Sequence, residues 1–441
     1  MKAVCVVVLS SLVLFPGSYA GAENVSFLDA FDMASDSALE VNLARYRAEV
    51  ADSRRDVAFG SILPQITLFG QWSENRLRYD LPGAESLPAY PGQRYGIQIR
   101  QALLNVGDSL EVRRLDSLYR QSEEELALAY NQLLVALADA YFKVTIMSAE
   151  RVVVLDELNA LENQYLQAKA LSDKNLTPVT ETLETLARRD SVKADIAYLD
   201  GKFGMAKESL YALVGDRNIT TTAIADKVAL PEASISLDEA LSLAAERNPK
   251  ISVAEEALSA AREATRREKS SWIPDVELNY TFQHSDVGFD NLQSAPRDTS
   301  IITLSVNYPI FEGGAGSARL RGAWAEYYSA MTRLQFAKRD VEARVRTSWL
   351  NKAAATRRVD AAVNAAVAAR TSYEATAKAV HLGTARASDA LLALASRSAA
   401  KMELNRAILE QVLAWIEFEL SIGEPPHSVA AAVSSAIHEK Q

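Results

Sequence analysis

The sequence predicts a mainly α protein with a small membrane-type β part and an internal twofold repeat. Three observations predict it. "IPDVELNYTFQ" (Ile273–Gln283) alternates apolar and polar residues, placing Val276, Leu278, Tyr280 and Phe282 on one face of a strand. From Asp108 to Leu171 there is no proline or glycine, and Leu126, Leu133, Ala140, Met147, Val154, Leu161 and Ala168 recur every seven residues. The chain also repeats itself: "ILPQITLFGQW" (Ile62–Trp72) echoes "WIPDVELNYTF" (Trp272–Phe282), with Pro64 and Pro274 separated by 210 positions.

At the N-terminus, "MKAVCVVVLSSLVLFPGSYA" has one basic residue (Lys2), an apolar run and small residues before Ala20. It reads as a secretory signal peptide over 1–20, too short to span a bilayer. Cys5 lies inside it, so the mature chain is expected to hold no cysteine, no disulfide and no thiolate metal site. The chain has 441 residues with 57 acidic and 47 basic side chains, a formal net charge of −10. Loss of Lys2 would take it to −11. An acidic chain without a basic cluster argues against nucleic acid as a partner. The four histidines, His284, His381, His427 and His438, fall on expected loops and tail without ligand spacing, and no phosphate loop or nucleophile elbow is present. Neither an enzyme nor a cofactor is expected.

The repeat assigns domains: 21–215 for the first half, 216–235 for a linker belting mid-height, 236–423 for the second half and 424–441 for a tail. Each half reads helix, strand, loop, strand, long helix, turn, helix. Tyr141 pairs with Trp349, Tyr165 with Tyr373 and Gly215 with Gly423, each 208 apart; Gly107 and Gly314 are 207 apart.

In the first half, strands are expected over about 65–101, with Tyr95, Ile97 and Ile99 on one face. In the second they fall over about 275–311, with Ile302, Leu304 and Val306 joining the apolar face. Pro64 and Pro274 stand at the helix-to-strand junctions, where a missing N–H costs no ladder bond. Gly313 and Gly314 supply freedom to turn from strand back to helix. The connections Glu74–Gly92 and His284–Thr299 read as long polar loops, and Trp272, Tyr308 and Phe311 at one end with Trp72 and Phe282 near the other resemble interfacial girdles.

No later segment has eighteen consecutive apolar residues, so no transmembrane helix is expected. Four strands cannot close a barrel, and an open edge in hydrocarbon leaves backbone groups unpaired. Three copies would supply twelve strands, with the apolar face toward lipid. The heptad helix (companion positions Tyr130, Leu137, Val144, Leu158 and Tyr165, with Arg151 the exception) should form a shaft on the order of 90–100 Å long. Its second-half counterpart spans about Ala315–Val380, with an alanine-rich seam.

Twofold repetition, "SVNYPIFEGG" before a long helix and "LGTARASDALLALASR" (Leu382–Arg397) together resemble the TolC-like outer-membrane efflux protein family, over about Phe27 to Gly423. The resemblance implies a homotrimer in the outer membrane of a Gram-negative bacterium. Four antiparallel strands per chain would form one third of a 12-stranded β-barrel, and coiled-coil helices a periplasmic α-barrel. It implies a passive exit duct for a tripartite efflux pump or type I secretion, docking a periplasmic adaptor and an inner-membrane transporter at the helix tips. Those tips fall at about 172–178 and 381–386, with Asn175 in the place of Gly383 and Leu176, Leu382 and Thr384 beside them. The family narrows its tunnel with aspartates beyond such a turn. Asp389 matches the first position and Glu181 is its repeat-one counterpart. Leu392 occupies the second position, a departure that leaves the constriction partly apolar. Ser388 and Asp389 read equally as a helix N-terminal cap, which does not exclude the other role. The alternative for the whole chain is a periplasmic coiled-coil adaptor whose hairpins are soluble.

Overall fold

In a computed structural model, the described residues are 23–76, 89–223, 228–231, 235–287 and 293–438. The expected signal peptide and the centres of both expected strand-to-strand loops lie outside them. The elements run β1 (Glu23–Val25), α1 (Phe27–Ser37), α2 (Leu39–Ser61), β2 (Gln65–Asn75), β3 (Tyr90–Leu104), α3 (Val106–Ser172), α4 (Val179–Val214) and β4 (Ile219–Thr221). They continue with α5 (Leu237–Arg247), α6 (Pro249–Ser270), β5 (Asp275–Val287), β6 (Gln293–Asn307), α7 (Ala315–His381), α8 (Ala387–Ser421) and α9 (Pro426–His438).

The same local chemistry starts each half. The Ser26 hydroxyl accepts from the Asp29 N–H, and 210 positions later the Ser236 hydroxyl accepts from the Glu239 N–H, both at 3.2 Å. These N-caps satisfy donors that α1 and α5 would otherwise leave bare. The long helices match as well: α3 and α7 each span 67 residues, close to 100 Å at the α-helical rise.

The seam of α3 is where the chain packs. Leu133, Leu137, Ala140, Val144, Val154, Leu161 and Ala168 are buried. Arg151, the polar interruption, reaches across to the Asp200 carboxylate of α4 at 2.6 Å. On α7 the buried seam includes Val341, Ala355 and Ala362. One eighteen-residue window of α3 has a mean hydropathy of 1.2, but 56% of it is covered by the chain itself, as in a core helix.

The principal core sits at mid-height. Phe27 of α1 meets Tyr141 and Phe142 of α3 at ring-centroid distances of 5.4 and 5.0 Å. Parallel strands β1 and β4 pair beside this cluster. The segment 424–441, expected only as a tail, contains α9, whose Val429, Ala430, Val433 and Ile437 are buried in the same core. Small and β-branched residues at helical spacing bind that face to α1, α3 and α8.

One sheet carries the long strands, in the antiparallel order β2–β3–β5–β6. The helices leaving it repeat that order: α2 packs on α3, α3 on α6, and α6 on α7. Toward the other end, α4 packs on α3, α3 on α8, and α8 on α7.

Two expectations need correction. The strands run further than the loops allowed, because ladder pairing continues through His284↔Asp298 and Ser285↔Arg297 on one side and Glu74↔Pro91 on the other. His284 is therefore a strand residue, and His427 lies in α9 rather than in an irregular tail. Likewise, the two strand-to-helix passages are not equivalent. Asn105 alone separates β3 from α3, its side chain accepting from the Asp108 N–H at 2.8 Å, and Gly107 lies inside the helix. Between β6 and α7, Gly313 and Gly314 adopt φ of 63° and 85°, a region closed to most side chains.

Candidate functional site

Because directly opposed residues share a face, the register sorts the sheet into two surfaces. Ile66, Ile99, Tyr280 and Ile302 form one row, and Leu68, Ile97 and Phe282 the next. Leu278 opposes Leu304, and Val276 opposes Val306. Tyr95 stands beside His284 with rings stacked at 4.9 Å, and the His284 ring is bonded to Asp298 at 2.7 Å. All ten strand residues singled out from the sequence fall on this surface. It is bare: Leu68 is 80% exposed, Ile302 73% and Val306 63%.

The opposite surface is polar. Thr67, Gln98 and Thr281 form one row, and Arg100 and Asn279 belong to the next. Gln98 donates to Asn279 at 3.2 Å and Arg100 approaches Glu277 at 3.8 Å. Phe69 and Ile301 are large apolar exceptions on it. Phe69 packs over Gly96, where an added Cβ would stand 3.0 Å from the Phe69 ring and 2.1 Å from the Phe282 carbonyl oxygen.

Sequence reasoning missed Ile66 and Leu68 on the apolar surface. Phe69 and Gly70 break the alternation of "QITLFGQW", and only the register resolves it. It also missed Ile310 beside Phe311; both are 86% exposed. Pro64 immediately precedes β2 and Pro274 immediately precedes β5.

At the far end of the helices, two turns share one geometry. Asn175 has φ of 57° and Gly383 of 73°. The Leu176 N–H reaches the Leu171 carbonyl, and the Thr384 N–H the Ala379 carbonyl, each at 2.9 Å. This six-to-one closure caps α3 and α7. Leu176 and Leu382 are exposed at the tips, and the Thr384 hydroxyl donates to the Ala379 carbonyl. Glu181 and Asp389 both occupy the third position of the following helices, α4 and α8. The Asp389 carboxylate accepts from the Arg386 N–H at 3.2 Å, so it is part of the helix cap. Ser388 lies within the first turn, and Arg386 holds the N-cap position expected for it. Leu392 is 72% exposed one turn further on. Among the described residues no group of His, Cys, Asp and Glu is placed to hold a metal ion.

An open sheet with an apolar and a polar surface, joined to a long helical shaft, is also what the comparisons return. The outer membrane efflux protein family matches residues 240–424. The outer membrane protein TolC of Vibrio cholerae is 23% identical over 84% of this chain and 86% of its own. Residues 240–424 thus carry the outer membrane efflux protein match, and the chain as a whole is similar to TolC-like outer membrane proteins. A second relative in this family comparison is the proteases secretion protein PrtF of Dickeya chrysanthemi, 21% identical over 96% of this chain and 92% of its own. Among solved structures, the outer membrane protein VceC of Vibrio cholerae superposes with a TM-score of 0.75 at 17% identity, over 90% of this chain and 96% of that one. The likeness shows the TolC-like fold for the first half as well as for the residues the family matches.

Proposed function

We propose that this protein is a homotrimeric channel-tunnel of the outer membrane, the passive exit duct of a tripartite efflux pump or type I secretion system. One observation carries the reading: sheet and helices share one lateral order with open ends. β2 and β6 are the sheet's free edges, while α2 and α7 are the outer members of the helix row and do not pack on each other. β2 follows α2 closely in the chain, and β6 leads to α7. Joining β6 of one copy to β2 of the next therefore also brings α7 beside the next copy's α2. Three copies give twelve strands, satisfying every edge that hydrocarbon would otherwise strand. Strands of 11 to 15 residues meet or exceed the roughly 9–11 that a tilted crossing needs.

The rows containing Ile66, Leu68, Ile97, Tyr280 and Leu304 then face lipid, and the rows containing Gln98 and Asn279 face a water-filled lumen. The two helix tips, with Asn175, Leu176, Leu382, Gly383 and Thr384, are where a periplasmic adaptor and its inner-membrane transporter dock. Asp389, Glu181 and Leu392 border the aperture there. Kinship with a protease secretion protein supports polypeptide export as well as small-molecule efflux. The experiment is purification of the mature chain in detergent. A heat-sensitive trimer that conducts in planar bilayers is expected. A monomer soluble without detergent would return the chain to the adaptor reading.

A further inference from the structure

The polar surface of the sheet is electrically uneven along its length. Near the helices, Arg100 is offset by Glu277 at 3.8 Å. At the other end, the register sets Gln71, Arg94, Ser285 and Arg297 in one row. Two of its four members are arginines and none is an acid. Arg94 and Arg297 flank Ser285, so their backbones stand two strand spacings apart, about 10 Å.

Neither guanidinium is matched among the described residues. Among the described residues, Arg94 and Arg297 make no ion pair, and the Arg94 Nε–H is buried without a hydrogen-bond partner. Three described acids nearby are engaged elsewhere. Asp286 accepts from the Gln93 N–H at 2.6 Å, Asp298 is bonded to His284 on the opposite face, and Glu74 pairs with Arg76 at 3.8 Å. A buried donor with no partner is costly, and a polar group arriving from solution relieves it.

We infer that Arg94 and Arg297 form an anion-holding belt inside the lumen, near the loop end of the strand cylinder. The inference rests on the trimeric reading, in which three copies set six guanidinium groups around one aqueous bore. Their ligands are multivalent anions: carboxylate, sulfate or phosphate groups on a solute passing through, gripped by the planar guanidinium fork. Within a bore of low-dielectric walls the charges reinforce one another across distances at which free solution screens them. An outgoing anionic solute would thus meet its last favourable site at the exit.

Sided block of single channels tests this. The helical shaft cannot cross a bilayer, so trimers insert with the loop end in the far chamber. Inositol hexakisphosphate added to that chamber should block the wild-type pore, and added to the near chamber should block far less. Arg94→Gln with Arg297→Gln should weaken far-side block about tenfold or more. Replacing both by lysine should retain most of it. Arg297 is exposed, so Arg297→Gln alone preserves folding and should give a partial loss. Conducting Gln variants blocked as strongly as wild type overturn the belt. A wild-type chain that forms no pore overturns the duct reading instead.

Discussion

The Tyr141 hydroxyl donates to the Val25 carbonyl oxygen at 2.8 Å, tying the middle of the longest helix of the first half to the first strand of the chain. The Tyr141 hydroxyl oxygen in turn accepts from the Thr222 N–H at 3.0 Å, just after β4. Tyr141 is 1% exposed, and burial raises its phenol above the ordinary value, so it stays a neutral donor. Tyr141→Phe keeps the ring contacts with Phe27 and Phe142 but leaves two buried backbone groups without their shared partner. Each such group costs about 1–3 kcal/mol. Faster amide exchange at Thr222 in the phenylalanine variant, with the distal tip unchanged, is the expected result.

The tip turns make a sharper chemical prediction. A Cβ on Gly383 would meet nothing within 4 Å, so the only obstacle is its φ of 73°. Gly383→Ala should destabilise the turn by about 1–2 kcal/mol through the left-handed backbone alone. Gly383→Asn should cost less, because the first half already places asparagine at the equivalent Asn175. Amide exchange at Thr384 separates them: alanine accelerates it strongly and asparagine only slightly.

These turns also show how far the sequence could be read. Asn175 and Gly383 were legible because a tight reversal between heptad runs selects residues that tolerate positive φ. The apolar rows of β3, β5 and β6 were legible because a strand with one wet face must alternate. β2 was harder, since Phe69 turns inward to fill the space over Gly96, a cross-strand relation that no single strand encodes. Parallel pairing of β1 with β4 depends on residues 196 positions apart, as in Glu23 opposite Ile219, and three-residue strands have no periodicity. The unmatched Arg94 and Arg297 were invisible for the same reason: each looks like an ordinary strand arginine until the register places them in one row.

Between α6 and α7, Asp340 carries a pH dependence. The Lys250 ammonium donates to its carboxylate at 2.8 Å, and the Arg344 Nε–H does so at the same distance. These bonds, Lys250's first, hold Asp340 below the ordinary aspartate value of 3.8. A carboxyl with a depressed folded value stabilises the fold above its unfolded value and loses that contribution as pH falls through the folded one. Acidification from neutral pH to below about pH 4 should therefore lower the thermal midpoint of wild type more than that of Asp340→Asn. Equal shifts in the two proteins would remove this pair from the acid response.

The lateral closure proposed for three copies predicts a new neighbour for α2. Leu43, Tyr46 and Val50 of α2 line a groove of about 480 Å³ with Arg47 and Arg54. On α7, Tyr328 is exposed beside Glu326. Among the described residues both arginines and Glu326 make no ion pair, so they can meet across copies. In a Cys5→Ser background, Tyr46→Cys combined with Tyr328→Cys should be linked between chains by a flexible bis-maleimide, giving dimer and trimer bands. Either single cysteine should not give that ladder. A detergent-stable trimer that never cross-links would place α2 and α7 on different sides of the subunit.

At the proposed aperture, a single substitution separates the capping role of Asp389 from the pore role proposed for it. Its carboxylate caps α8 through the Arg386 N–H, and asparagine offers the same acceptor without the charge. Asp389→Asn should accordingly leave the turn and the proposed trimer intact while removing three negative charges from the proposed aperture. Cation preference in planar bilayers should fall, because a ring of like charges at a constriction sets which ion enters. Leu392→Asp, one turn along α8 at an exposed site, should raise the preference by adding a second ring. If Asp389→Asn conducts with unchanged selectivity, its carboxylate serves only the helix end, and the exposed apolar side chain of Leu392 becomes the stronger candidate for narrowing the pore.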